Sequence, residues 1–204
     1  MDRKVAALFA FGLALLLLII LLPPERSLGE SYKFIYIHIP LSVIVLGSVL
    51  IYPLVMVAFR NSRLEAMTFA IVTLLFSIIQ ILVSMLFMEF AWSGIAFHEP
   101  RMLFNTAIVV VLAGSVILGF IHPRLALVYS TSVPFMAAWL YYTIMSSYTF
   151  QLHPGSLVRM DALFLSPFAV SFPFFALLYA LIFEKIKVFL KKLSWHEQLL
   201  LQRS

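Results

Sequence analysis

The chain has 204 residues, of which 63% are hydrophobic and 11% charged, and its mean hydropathy is +1.06. Soluble domains carry about 25% charged residues, so a single soluble core is excluded and an integral membrane protein is expected. The net charge of +5 is no nucleic-acid signal, because the basic residues sit beside apolar runs. The lack of cysteine excludes disulfides, thiolate metal sites and thiol redox chemistry.

Crossing about 30 Å of hydrocarbon takes roughly 20 apolar residues. Six segments meet that requirement, at about 5–22, 37–59, 66–91, 103–121, 125–146 and 162–183. The first follows Arg3 and Lys4 and resembles a signal peptide. It is long for one, however, and Pro23-Pro24 is a poor cleavage site, so it reads as a retained span. Prolines 40, 53, 134, 167 and 173 fall inside spans, where neighbouring helices can absorb the kinks. The expected fold is therefore all-α and polytopic, with a six-span domain at 1–183 and a basic amphipathic tail at 184–204.

Lys and Arg counts set the orientation. One side carries Arg3, Lys4, Arg60, Arg63, Arg124, Lys185, Lys187, Lys191, Lys192 and Arg203; the other carries Arg26, Lys33, Arg101 and Arg159. Both termini are thus expected in the cytoplasm of a cell whose plasma (inner) membrane holds the protein. The three longest connections, 23–36, 92–102 and 147–161, then face outward. The tail interleaves its lysines with Ile186, Val188, Phe189, Leu190 and Leu193. It reads as a helix that continues the last span or lies on the anionic leaflet, serving as a lipid anchor or docking a partner subunit.

Residues able to carry chemistry gather on the outer side. His38 stands at the start of the second span and His153 in the last outer loop. Two neutral imidazoles can bind one iron axially from opposite sides, whereas zinc asks for three or four ligands. Taken alone, each histidine reads equally as a polar anchor. Between them lies Trp92-Ser-Gly-Ile-Ala-Phe-His-Glu-Pro-Arg101, a polar interruption between apolar runs. His98 and Glu99 either cap the fourth span and face water, or serve as a further ligand and its orienting carboxylate. Arg101 suits a propionate through its bidentate fork, and Arg26, Lys33 and Arg159 are alternative propionate partners or lipid contacts. Trp92, Phe97, Tyr32, Tyr36, Tyr148 and Phe150 form either a flat apolar platform or an interfacial aromatic belt. Glu89 is the one carboxylate well inside a span, and Gln80 is expected to hydrogen-bond between helices.

Three stretches resemble the CcmC family of haem-handling proteins of cytochrome c maturation. Tyr32-Lys-Phe-Ile-Tyr-Ile-His-Ile-Pro40 is similar to that family's Tyr-x-Ile-Ile-Tyr-Ile-His-Val-Pro stretch, whose histidine is a haem ligand. The 92–101 segment resembles in position its tryptophan-rich loop, Trp-Gly-x-Trp-Trp-x-Trp-Asp-x-Arg. Here only Trp92 is kept, with Ile95, Ala96 and His98 at the other tryptophan positions and Glu99 at the aspartate. Leu152-His-Pro-Gly155 resembles the second-ligand region. The resemblance implies that His38 and His153 are axial ligands of a transiently bound haem b, flanked by Trp92, Phe97, His98, Glu99 and Arg101. It implies a transfer role rather than conventional catalysis, a CcmE-like haem chaperone as acceptor, and CcmA-, CcmB- and CcmD-like partner subunits. The residues also leave open a cytochrome b-type membrane anchor that passes electrons to quinone, or a small-molecule permease.

Overall fold

The computed structural model describes residues 3–24, 29–60, 62–146 and 166–201, with backbone alone at Trp92, Pro123, Met145 and 194–201. Among the described residues six helices follow one another: α1 Arg3–Leu21, α2 Ile35–Ala58, α3 Arg63–Trp92, α4 Pro100–Ile121, α5 Pro123–Ser146 and α6 Phe168–Leu201. A 3₁₀ turn at Glu30–Phe34 leads into α2. The expected all-α fold is met, and no strand occurs among the described residues. Five helices are both long and apolar enough to cross a bilayer. The other, α5, has spanning length at 24 residues but is diluted by Ser130, Thr131 and Ser132. Those hydroxyls donate to the carbonyls of Leu127, Val128 and Tyr129 on their own helix, which satisfies them without water.

The interior is apolar, as in a soluble protein, but so is the outer surface. Large apolar side chains stand exposed on the outside, among them Leu54, Val110, Val128 and Phe135. Small polar residues such as Ser48, Thr68, Thr73, Ser77, Ser115 and Ser171 are buried. A surface this apolar demands lipid, and buried small or polar side chains are how membrane helices approach and bond one another. The protein is a multi-pass α-helical membrane protein.

Helices α2, α3, α4 and α5 close a four-membered ring, each packed on the next and α5 back on α2. On the edge formed by α2 and α3 lies α6, and α1 packs on α6. Interhelical hydrogen bonds tie the ring together. Tyr52 of α2 meets Ser115 of α4 at 2.9 Å, the Tyr129 hydroxyl donates to Val111 O at 3.2 Å, and Thr73 of α3 meets Tyr179 of α6 at 2.8 Å. Gln80 is 2% exposed and donates to Ser42 of α2 at 3.1 Å, the interhelical bond expected of it. Helix α1 is peripheral, with only Leu15 buried along its 19 residues.

One detail departs from the sequence reading. Pro167 precedes α6 instead of lying inside it, and its carbonyl accepts from Ser171 N at 2.9 Å. A proline has no N–H for a helix interior and disfavours helical backbone at the residue before it. The tail takes the first of its two expected courses and is the same helix as the last span, continuous over 34 residues. At 1.5 Å per residue that is about 51 Å, so roughly 20 Å projects beyond a 30 Å hydrocarbon layer.

Candidate functional site

The bundle has two chemically distinct ends. One carries Lys4 paired with Glu184 at 2.6 Å and Lys187 paired with Glu65 at 2.6 Å. There too Arg63 donates to Gly119 O and Phe120 O, the open carbonyls at the C-terminus of α4. The other end carries His38, the 93–99 connection and the start of α4. This is the sorting of residues expected from the charge count.

His38 is built into a ladder between α2 and α3. Ser84 Oγ lies 3.1 Å from His38 Nδ1, Gln80 Nε2 donates to Ser84 Oγ at 3.2 Å, and Ser42 Oγ donates to His38 O at 2.8 Å. The spacing explains it: His38 and Ser42, like Gln80 and Ser84, are four residues apart and share a helix face. Thr73 and Ser77 extend the stripe down α3, so buried polar residues occupy 73, 77, 80 and 84. The hydroxyls of Thr73, Ser77 and Ser84 each donate to the carbonyl one turn back, which keeps the stripe satisfied. Phe87 stacks on the His38 ring at 6.2 Å between centroids and 18° between planes.

The chain enters α4 through a sharp reversal. Ser93 ends α3 in the left-handed region at φ 56°, a conformation that costs a non-glycine residue about 1–2 kcal/mol. The reversal brings Glu99 to the N-cap of α4, 4% exposed, with Oε2 accepting from Met102 N at 2.9 Å. Pro100 follows as the first helical residue, where its missing N–H costs nothing. A carboxylate there also meets the positive end of the helix dipole. Arg101, Met102 and Asn105 of α4 line a cavity together with His38, Ser84, Phe87, Met88 and Glu99. Its volume is about 20 Å³, room for one water molecule.

The predicted site residues separate accordingly. His38, Glu99 and Arg101 converge on one cavity. Phe97 is 57% exposed, and His98 is likewise exposed in the turn before α4. Glu89 is exposed near the end of α3. Lys33 pairs with Glu30 at 2.6 Å and donates to Ile20 O at 3.3 Å. Tyr32 and Tyr36 form neither platform nor belt: they are 2% and 0% exposed and pack with Leu22 and Phe168. The Tyr32 hydroxyl donates to Pro23 O at 2.9 Å, which holds the 3₁₀ turn against the end of α1. His153, Arg26, Arg159, Tyr148 and Phe150 lie outside the described residues, as does the side chain of Trp92.

Sequence reasoning missed Ser42, Ser84, Phe87 and Asn105. The signal for the two serines was present, as polar partners four residues from His38 and Gln80. A porphyrin does not fit inside the described helices, where the cavity at His38 holds one water. The residues present fit one side of a haem: His38, held by Ser84, could ligate its iron, and the exposed Arg101 could pair with a propionate. Among the described residues no group of three or more His, Asp or Glu side chains could hold a bare metal ion. Neither the models of known protein families nor the curated proteins contain a match to this chain.

Proposed function

We propose that the protein is a CcmC-like haem-handling component of cytochrome c biogenesis. In this reading it resides in the plasma (inner) membrane with both termini cytoplasmic, and haem sits on the outer face. His38 and His153 would ligate its iron, Arg101 would pair with a propionate, and Trp92, Phe97 and His98 belong to the loop that would lie beside it. One observation supports it most: His38 is held through Nδ1 by Ser84, and Ser84 in turn by Gln80. A ligating histidine needs its second nitrogen held this way, which sets the tautomer and aims Nε2 at the metal. The bound haem would supply the redox-active iron, while the chain binds, orients and releases it without a covalent step. A CcmE-like chaperone would receive the haem, and CcmA-, CcmB- and CcmD-like subunits would complete the assembly, as the sequence resemblance implies.

The test is the absorption spectrum of the purified full chain, as isolated or reconstituted with haem, before and after dithionite. His38→Ala and His153→Ala are each expected to weaken or shift the Soret band strongly. Wild-type haem content in both single variants would remove the ligand assignment.

A further inference from the structure

The opposite end of the bundle has a second cavity, larger than the first at about 140 Å³. Arg60 in the turn after α2, Arg63 at the start of α3 and Arg124 at the start of α5 line its rim. Its floor is apolar, with Met56, Phe59 and Leu127 among the lining residues and no acidic side chain. The acid nearest in the chain, Glu65, is engaged by Lys187 and so does not neutralise the rim. Arg63 is fixed in place by its two bonds to the C-terminus of α4. Neither Arg60 nor Arg124 makes a side-chain hydrogen bond or ion pair among the described residues, and both are exposed.

We infer that this cavity is a binding site for an acidic phospholipid, its phosphate held by Arg60, Arg63 and Arg124 and one acyl chain against the apolar floor. The shape of the site argues for a lipid over a soluble anion. The guanidiniums meet phosphate at the rim by charge-assisted, bidentate hydrogen bonds. The cavity beneath them is lined by Met, Phe and Leu, which a soluble phosphate would leave uncovered. Val57, Ile121 and Leu125, close in the chain to the rim, are apolar and exposed, which suits contact with acyl chains. Basic pockets between membrane helices take anionic headgroups in this way.

Native mass spectrometry of the full chain in neutral detergent, with phosphatidylglycerol or phosphatidylcholine added in turn, tests this directly. The wild type is expected to retain the acidic lipid preferentially, and Arg60→Gln or Arg124→Gln each to lower that preference about fivefold. Lys192→Gln, in the projecting part of α6, removes one charge as each test variant does and is expected to leave the preference intact. An equal loss in that control would overturn the site, since general attraction to a basic surface would then explain the result. Displacement of the lipid by soluble glycerol phosphate at matched concentration would overturn the lipid assignment in favour of a free phosphate ester. Arg63 is left intact in these variants because its bonds to α4 also hold the fold, and an unchanged melting curve confirms that the variants are folded.

Discussion

At the His38 end polar groups reach inward, whereas at the arginine end they stay on the rim. The ladder of His38, Ser42, Gln80 and Ser84 lies between α2 and α3 and encloses almost no space. The arginines surround an open cavity about seven times larger, by the ratio of 140 to 20 Å³. Neutral polar groups can be buried in a bundle because each finds a partner on a neighbouring helix or one turn back. Guanidiniums stay charged at any accessible pH and are costly to bury at membrane depth. The inner ladder is therefore suited to orienting one side chain, and the rim to recognising an opposite charge.

Three substitutions sharpen that contrast. The largest effect is expected at Gly119, where an added Cβ would overlap the Met67 sulfur. Gly119→Leu would have to displace the Met67 side chain or move α4 away from α3, beside the bonds that Arg63 makes to α4. A loss of about 1–3 kcal/mol is expected, as for overpacking in a dense core. Thermal unfolding in detergent reads it, and an unchanged midpoint would mean that α3 and α4 do not approach this closely. Next comes Ser84→Ala, which removes the partner of His38 Nδ1 while changing the fold little, by about 0.6 kcal/mol. On the proposed function its haem affinity drops about tenfold or more. Affinity equal to wild type would show that the ladder serves packing alone. The smallest effect belongs to Lys4→Gln, which breaks the pair with Glu184 between α1 and α6. Both side chains are more than half exposed, so the change is expected within about 0.5 kcal/mol. A larger loss of stability would mean that α1 depends on this contact for its place.

How far the sequence was legible differs between these regions. The spans needed only composition, since an uninterrupted apolar run of that length has no other stable fate in lipid than a helix. The break between the third and fourth spans and the polar loop within it were equally plain. Tyr32 and Tyr36 were misjudged because an aromatic near a membrane end satisfies two rules at once, the interfacial belt and the buried core. Only contact with Leu22 and Phe168 decides between them. Glu99 was read as either a cap or an orienting group; its bond to Met102 N makes it the cap, and its place in the His38 cavity leaves it beside the proposed ligand.

By itself the sequence determined the all-α membrane fold, the number of long apolar segments and the sorting of basic residues to one end. Those follow from hydropathy and charge, which are properties of each segment alone. The tertiary structure decided which faces meet. It set Gln80 and Ser84 against Ser42 and His38, closed α5 back onto α2, and gathered Arg60, Arg63 and Arg124 from the turn after α2 and the starts of α3 and α5 around one cavity. The physical reason is rotational: lipid rewards every apolar face of a helix alike, so only packing against neighbours fixes which face turns inward.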